Sequence, residues 1–341
     1  MMILVTGGLG YIGSHTVVEL LQTGNDVLVV DNLTNSSLEV LDGIERASGK
    51  RPLFECLSLN DKMDVKYLFN NYEEIEGVIH FAAFKAVGES ISEPLKYYDN
   101  NIGSLVNVLQ YVDRLNLEIP FIFSSSCTVY GEPDSLPITE ESPTKKASSP
   151  YGNTKQIGEE ILFDAVRSNS NLSVIVLRYF NPIGAHKSME IGELPLGTPQ
   201  NLVPFMTQTA MGMHKRLTVF GDDYPTRDGT CVRDYVHVVD LAKAHIVALQ
   251  RLVGKKNEQN YEVFNLGSGT GKTVLEIISD FKKVSKVNLK YKMGPRRQGD
   301  VIEAYADVTK ANSVLGWKAQ FNVKQAIRSA WKWERKIRNK N

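Results

Sequence analysis

Short apolar runs alternate with amphipathic stretches along the first half of the chain. The first run, at 3–7, consists largely of β-branched residues, and further apolar runs lie at 26–31, 52–59, 77–83, 120–126 and 172–180. Segments with helical spacing separate them, as at 15–24, which ends on Gly24 as many helices do. Strands that are apolar on both faces and alternate with helices predict a parallel sheet covered on both sides. Right-handed crossovers then give a doubly wound α/β sheet.

The pattern changes after about residue 181. Residues 181–204 are rich in Pro and Gly and have no clear period, and long irregular segments of this kind are often functional. Apolar runs return at 217–220, 234–240 and 261–267, with a helical pattern at 241–252 and two more towards the C-terminus. This predicts a smaller second α/β region.

Composition narrows the possible partners. The 341 residues include 39 basic and 39 acidic side chains, so the formal net charge is zero. Proteins that bind nucleic acid or acidic membranes usually carry a basic excess. We therefore expect neither partner here, and any anionic ligand must be held by a few local groups. The hydrophobic share of 42% and charged share of 23% are typical of a globular protein.

The cellular setting is predicted from the N-terminus and the cysteines. No apolar segment reaches the ~18 residues that a membrane span needs, and the N-terminal sequence reads as a strand and not as a signal peptide. Cys56, Cys127 and Cys231 form an odd, sparse set, which favours a reducing, cytoplasmic setting, although each also fits as a small apolar filler. The six histidines show no metal-ligand spacing, so we expect no metal site.

A glycine turn lies between the first strand and the first helix. Gly7, Gly10 and Gly13 have the spacing G-x-x-G-x-x-G, which lets the backbone approach a pyrophosphate at the helix N-terminus. Alone, such a triplet also fits a plain turn. Asp31 ends the second strand, where an acidic residue reads the ribose hydroxyls of NAD and repels the 2′-phosphate of NADP. This favours NAD, the alternative being that Asp31 only caps the next helix.

A second cluster carries acid–base chemistry. Tyr151 and Lys155 are four residues apart and share one face of a predicted helix. An ammonium near a phenol lowers the pKa of the phenol, which makes Tyr151 a general acid or base. Ser126 ends the run at 120–126, at the edge where parallel sheets bind ligands. Taken singly, Tyr151 and Lys155 could also be two exposed residues on a helix surface. The serines at the end of the run 120–126 could simply form a turn.

Together these motifs resemble the UDP-glucose 4-epimerases, a family of the extended short-chain dehydrogenases/reductases. The similarity runs from residue 2 to about residue 318 and includes TGGLGYIGSHT, HFAAFKAVGES, SSSCTVYG, SPYGNTK, LRYFNPIGAH, DGTCVRDYVHV and PRRQGD. It implies a Rossmann-like domain for NAD over 1–181. A smaller domain over 182–341 would mainly bind a UDP-hexose, with segments near 234–266 returning to the first domain.

The resemblance also implies residue roles. Tyr151 would take the proton of the sugar 4-hydroxyl, Ser126 would hold that hydroxyl, and Lys155 would bind the nicotinamide ribose and lower the Tyr151 pKa. The C4 hydride would pass to NAD, and the 4-keto sugar would rotate before the hydride returns. The implied cofactor residues are Gly7, Gly10, Tyr11, Ile12, Gly13, Asp31, Asn32, Asn35, Ser36, Ser58, Leu59, Phe81, Ala82, Lys85, Asn100, Ser126, Tyr151, Lys155 and Phe180.

The implied substrate residues lie mostly in the second half. Arg233 and Arg297 would bind the diphosphate, although surface salt bridges are the alternative for both. Asp300 would accept from the uridine ribose. The full set is Lys85, Ser126, Tyr151, Asn181, Asn201, Leu202, Thr218, Val219, Phe220, Arg233, Arg297, Asp300 and Ala304.

The chain departs from the family pattern at two places. Ser58 and Leu59 stand where relatives usually have an aspartate that binds the adenine amino group, which predicts somewhat weaker NAD binding or a shifted alignment. Ala304 stands where some relatives have a tyrosine that limits space beside the sugar 2-substituent. We therefore expect that UDP-GlcNAc and UDP-GalNAc are also accepted.

Other functions fit the sequence less well. A sugar-nucleotide 4,6-dehydratase needs an Asp-Glu pair after the active-site hydroxyl, where this chain has Cys127 and Thr128. A reductase shares the cofactor and the Tyr-Lys pair, whereas an NAD-sensing regulator need not keep that pair.

Relatives commonly dimerise through two helices per subunit, and Ile157, Ile161 and Leu162 fit a homodimer, although packing on the sheet also explains them.

Overall fold

The computed structural model describes residues 1–115, 118–297 and 299–339. The strands are β1 (Met2–Thr6), β2 (Asp26–Val30), β3 (Leu53–Glu55), β4 (Ile75–His80), β5 (Pro120–Ser126), β6 (Ser173–Tyr179), β7 (Asn181–Ile183), β8 (Leu217–Phe220), β9 (Val232–His237), β10 (Tyr261–Leu266), β11 (Gly271–Thr273), β12 (Tyr291–Gly294) and β13 (Glu303–Ala304). The α-helices are α1 (Tyr11–Gln22), α2 (Glu39–Ser48), α3 (Lys62–Asn71), α4 (Val87–Ser92), α5 (Pro94–Leu115), α6 (Pro150–Ser168), α7 (Leu202–Ala210), α8 (Val238–Val253), α9 (Val274–Ser285) and α10 (Val323–Arg338).

Seven parallel strands form the main sheet, in the order β10-β6-β5-β4-β1-β2-β3. Successive side chains of β1 enter opposite cores: Ile3 and Val5 pack with α1 and α8, while Leu4 packs with α3 and α5. Both faces are therefore covered, which explains why these strands are apolar throughout. The doubly wound parallel sheet is confirmed. The order reverses at β1, and the crevice outside the carboxyl ends there is where such folds bind ligands.

The second region combines two small sheets with three helices. β9 lies between β11 and β13 and also pairs with β7, while β8 pairs with β12. A separate apolar core joins these strands to α7, α9 and α10, with Met206, Phe281 and Trp331 among its members. β10 and α8 belong to the first region, since β10 pairs with β6 and α8 packs on α1.

Local chemistry explains where some elements differ from the sequence pattern. α1 begins at Tyr11, four residues earlier than the pattern indicated, with Gly10 as its extended N-cap. The run 234–240 is divided, because the His237 ring accepts from the Val239 amide and so starts α8. No helix among the described residues is long and apolar enough to cross a membrane.

Three histidines lie where the two regions meet. His15 is on α1, His186 follows β7, and His237 caps α8, with the His15 and His186 ring centres 6.4 Å apart. Burial lowers the pKa of His15 to about 3 and that of His237 to about 4. These rings are therefore neutral packing groups at neutral pH.

Candidate active site

The turn between β1 and α1 consists of glycines because its backbone is crowded. Gly7 has φ +65°, and a Cβ there would lie 2.8 Å from the Ala82 nitrogen. A Cβ on Gly13 would lie 2.4 Å from the Gly7 carbonyl oxygen. The first turn of α1 contains no acidic residue, and no side chain caps it at Gly10. Its backbone N–H groups, beginning with those of Tyr11 and Ile12, thus fit the pyrophosphate of a dinucleotide.

Asp31 is fixed beside this turn. Its Oδ2 accepts from the Leu9 amide at 3.1 Å, and its Oδ1 accepts from the Leu33 amide at 3.0 Å and from the Ser36 hydroxyl at 2.7 Å. The carboxylate lies at the carboxyl end of β2, where the adenosine ribose of a dinucleotide is read. The helix-cap alternative for Asp31 is wrong, since Leu38 precedes α2. Asn32 and Asn35 are exposed in the same loop.

The departure at the third strand has a structural compensation. The Ser58 amide donates to Asp64 Oδ2 on α3 at 2.8 Å, so a carboxylate still reaches this position. The Leu59 side chain is buried in the core, so only its backbone is available to a ligand. The sequence did not indicate Asp64 because it reaches the strand end from the following helix.

Ser126, Tyr151 and Lys155 come together at the carboxyl end of β5. α6 starts beside it because the Ser149 hydroxyl accepts from the Gly152 amide and Pro150 occupies the first helical position. The Ser126 hydroxyl accepts from the Thr128 amide at 3.2 Å and lies close enough to the Tyr151 phenol to lower its pKa. Lys155 is 4% exposed. Its Nζ donates at 2.6 Å to the backbone carbonyl oxygen of Ser124, which lies on β5 two residues before Ser126.

The protonation chemistry differs from the sequence prediction. Burial raises the pKa of Tyr151 to about 12, and the Ser126 hydroxyl lowers it only in part. Lys155 is the group whose pKa moves towards neutrality, to about 8, because burial disfavours its ammonium form. The lysine is directed at a backbone carbonyl and not at the phenol. In the protein chain by itself, Lys155 is therefore not among the groups that set the Tyr151 pKa, and its predicted effect on the phenol stays a prediction.

The loop after β4 forms the next wall of the cleft. Phe81 donates its amide to the Thr6 carbonyl at 3.0 Å, which brings Ala82 against Gly7. Lys85 is exposed, and its Nζ lies 3.8 Å from Glu193 Oε1 in the irregular segment after β7. Asn100 on α5 donates to the neighbouring Asn101 side chain at 3.0 Å.

Asn101 is a site residue that the sequence analysis missed. Its Oδ1 accepts from the Phe84 amide at 2.8 Å, and its Nδ2 donates to the Phe84 carbonyl and the Thr154 hydroxyl, both at 3.0 Å. This buried amide therefore ties the loop after β4 to the helix turn between Tyr151 and Lys155. The adjacent asparagines of YYDNN were its only sequence signal.

The two arginines proposed for a diphosphate share one carboxylate. Asp300 accepts from Arg297 Nη2 at 2.7 Å and Nε at 3.1 Å, and Arg233 Nη2 lies 3.6 Å away. Two guanidinium groups on one carboxylate leave a net positive charge, which suits a phosphate group. We call Arg233, Arg297 and Asp300 the arginine clamp. Both arginines form salt bridges, as the alternative interpretation expected. However, both of them pair with the same carboxylate, that of Asp300.

The remaining substrate positions surround the arginine clamp unequally. Phe220 is 42% exposed, and its ring centre lies 5.8 Å from the guanidinium carbon of Arg297. Val219, its neighbour on β8, faces the opposite side of the strand and is 1% exposed in the core. Val219 therefore offers only its backbone, between Thr218 and Phe220. Asn201 directly precedes α7, whose first residue is Leu202. The Asn201 Nδ2 donates to Glu193 Oε1 at 3.1 Å.

Ala304 lies beside the arginine clamp, paired with Arg233 across β13 and β9. It is 5% exposed within an apolar cluster that includes Val129, Tyr130 and Phe180. Asn181 lies at the start of β7, where it pairs with Tyr235 of β9. Ser126 is followed by the 3-10 turn Cys127–Tyr130, which contains no carboxylate of the kind that a dehydratase needs there.

No group of three or more His, Cys, Asp or Glu side chains within the described ranges is arranged to hold a metal ion.

The comparisons with known proteins agree with this geometry. The family model described as GDP-mannose 4,6 dehydratase matches residues 4–330. The chain is 47% identical over 338 residues to a UDP-glucose 4-epimerase of Schizosaccharomyces pombe, covering 98% of this chain and 94% of that protein.

Two solved structures are similar over their full length. One is a UDP-glucose 4-epimerase from Stenotrophomonas maltophila with bound NAD and formylated UDP-arabinopyranose, with a TM-score of 0.95, 43% identity and complete coverage of both chains. The other is a UDP-glucose 4-epimerase from Bifidobacterium longum in complex with NAD+ and UDP, with a TM-score of 0.94, 43% identity and 99% coverage of each chain.

Proposed function

The chain belongs to the UDP-glucose 4-epimerases of the extended short-chain dehydrogenase/reductase family, and from this premise we propose that it interconverts UDP-glucose and UDP-galactose with bound NAD. The observation that carries the proposal is the convergence of Tyr151, Ser126 and Lys155 at the carboxyl end of β5. This trio lies between a glycine turn suited to NAD and an arginine clamp suited to a sugar diphosphate.

The chain's own groups manage the proton of the sugar 4-hydroxyl. NAD, when bound, supplies hydride transfer at C4. Ser126 holds the sugar hydroxyl and Tyr151 takes its proton. The buried ammonium of Lys155 lies one helical turn from Tyr151 and offsets the negative charge that develops on the phenol. Since burial holds the Tyr151 pKa near 12, this nearby positive charge is needed for the transfer at neutral pH.

Inversion at C4 requires a held diphosphate and a mobile sugar. Arg233 and Arg297 hold the diphosphate, and Asp300 orients both arginines and accepts from the ribose. The apolar cluster around Ala304 would offer the sugar ring few hydrogen-bond partners, which leaves the keto sugar free to turn and present its other face. The proton on Tyr151 then returns to the oxygen of the inverted sugar.

Incubation with UDP-galactose and no added cofactor tests the proposal. We expect UDP-glucose to appear, with no net consumption of NAD, because the redox cycle closes within one site. A product lighter by one water would instead identify the dehydratase alternative, whereas net NADH formation or consumption would identify a reductase. Absence of conversion by protein that contains NAD would contradict the proposal.

Acceptance of N-acetylated UDP-sugars is a finer proposal, supported by the small side chain of Ala304. We expect turnover of UDP-GlcNAc and UDP-GalNAc by the wild type and its loss in Ala304→Tyr, with UDP-galactose turnover retained. Because Ala304 is buried against Tyr130 and Phe180, Ala304→Ser provides a small control that leaves the space open. Equal N-acetyl turnover in all three proteins would contradict a role for this position.

We also propose that the protein is a homodimer that works in the cytoplasm and divides its binding tasks between two domains. Leu95 on α5 is 80% exposed and Phe163 on α6 is 46% exposed, on helices that pack together, whereas Leu162 is fully buried in the core. Phe163→Glu is expected to shift the mass in solution from dimer to monomer. NAD binding is assigned to 1–181 together with α8 and β10, and UDP-sugar binding mainly to the rest of 182–341.

A further inference from the structure

Glu159 lies one helical turn after Lys155, with no place in the proton transfer described above. Its Oε1 accepts from the Ser125 hydroxyl at 2.5 Å and from Arg178 Nε at 3.0 Å, while its Oε2 accepts from Arg178 Nη2 at 2.6 Å. Glu159 and Arg178 are each 6% exposed. A buried charge pair of this kind usually adds little net stability, which directs attention to other roles.

The surroundings of Glu159 hold its carboxylate in one place. Arg178 Nη1 also donates to the Tyr130 hydroxyl at 2.8 Å, and that hydroxyl donates to Asn265 Oδ1 at 2.7 Å. Ser125 stands between Ser124, whose carbonyl accepts from Lys155, and the proposed catalytic Ser126. One carboxylate therefore fixes the strand end that carries the lysine's hydrogen-bond acceptor.

We propose that Glu159 is a positioning residue that keeps Lys155 charged and in place for the transfer of the Tyr151 proton. Glu159 supplies the attractive charge that partly offsets the burial of the ammonium. This inference rests on the proposed epimerase function, because it assigns the lysine its task.

The other groups that face Lys155 do not titrate in the same range. His80 from β4 is neutral there, because burial and then the lysine's own charge lower its pKa to about 3. Burial raises the pKa of Tyr151 to about 12 and that of Tyr179, from β6, further. Around Glu159 the remaining ionisable groups are Arg178, Tyr130 and Tyr261, and burial raises the pKa of both tyrosines. Between pH 7 and 9, Lys155 is therefore the group that changes charge.

The test is the pH profile of kcat in Glu159→Gln. This change keeps the shape of the side chain but removes its charge and leaves the Arg178 charge unbalanced. Both effects disfavour the ammonium, so we expect the alkaline limb to move down by about one pH unit. Activity at pH 8 then falls by about five-fold more than activity at pH 6. Ser125→Ala removes a hydrogen bond but no charge, so its limb should stay in place, and Glu159→Asp should restore much of the limb.

If Glu159→Gln does not fold, a double variant that combines it with Arg178→Met can be used instead. This variant removes both charges together and is expected to fold, because neutral replacements of buried ion pairs are often tolerated. A downward shift in the same direction but of smaller size is expected in this double variant, because the unbalanced Arg178 charge is removed as well. An unchanged alkaline limb, or an equal loss at every pH, would overturn the role of Glu159. Absence of epimerisation in the wild type would instead contradict the proposed function, so the two failures are distinguishable.

Discussion

The two candidate diphosphate sites of this protein are built in opposite ways. The glycine turn offers backbone amides whose positions are fixed, because Gly7 and Gly13 leave no room for a side chain. The arginine clamp offers guanidinium groups on long side chains, and that of Arg297 is 48% exposed. A backbone site is ready before its ligand arrives, whereas a side-chain site adjusts around it. This difference suits a cofactor that stays and a substrate that leaves.

The zero net charge fits this division. The cofactor site needs no charged side chain at its pyrophosphate, because the start of α1 supplies the positive end of a helix. The substrate site uses two arginines and one aspartate. A neutral protein can thus bind two anionic ligands with few charges.

Tyr151→Phe, at the junction of the two sites, is expected to have the largest effect. Removing the phenol removes the proton acceptor, so kcat should fall by about 10³-fold, in the range of general acid–base contributions. The NAD content and the dissociation constant of UDP should stay within roughly two-fold of wild type, since the glycine turn and the arginine clamp lose no contact. Wild-type turnover in this variant would refute the assignment of Tyr151.

Arg297→Ala tests the substrate site. The lost charge-assisted hydrogen bonds are worth about 1.5–3 kcal/mol, so KM for UDP-galactose should rise by about 10- to 100-fold. The NAD content should not change, because the glycine turn is untouched. Arg227, which pairs with Glu276 at 2.5 Å on the surface, gives a matched control, and Arg227→Ala should leave KM as it is.

Gly13→Ala tests the cofactor site. The new Cβ would meet the Gly7 carbonyl oxygen at 2.4 Å, so the turn must open and lose its fit to NAD. We expect the NAD retained after purification to fall by about ten-fold, while UDP binding changes little. Gly88→Ala is the control, since nothing lies within 4 Å of its added Cβ. Full NAD content in Gly13→Ala would show that the turn is not the cofactor cradle.

Mild acid should loosen the junction between the two regions by a smaller amount. The folded-state pKa of His15 is about 3 and that of His237 about 4, below the ordinary value of 6.5. Their contribution to stability is therefore complete above pH 6.5 and is lost as the pH falls towards 4. About 2 kcal/mol per histidine is expected between pH 7 and 5, visible as a lower urea midpoint. His15→Gln should flatten this slope, whereas His214→Gln, at a partly exposed ring, should not.

The sequence was sufficient for most of the fold because the main sheet is encoded locally. β5 and β8 have the bounds that their apolar runs indicated, and each of the first six strands of the main sheet along the chain was marked by an apolar run. β3 is shorter than its pattern, ending at Glu55, because Leu59 packs into the core from a turn and not from a strand. Apolar residues in such a turn resemble a strand in the sequence alone.

Less of the candidate site followed from the sequence. Spacing placed Tyr151 and Lys155 on one helix face, but it did not reveal that burial dominates both of their pKa values. The Glu159–Arg178 pair and Asn101 were missed because their partners are distant in the chain and belong to other elements. Burial and long-range pairing depend on the assembled sheet, which no local pattern records.

The position of β10 has a consequence for how the protein is made. β10 covers the edge of β6, yet about 80 residues, which include most strands of the second region and α8, separate the two strands in the chain. At 5–20 residues per second, a ribosome needs roughly 4–16 seconds to add them. During this interval the nascent chain carries an apolar strand with one open side. The open edge of β6 is therefore available for pairing with strands of other chains until β10 has been synthesised.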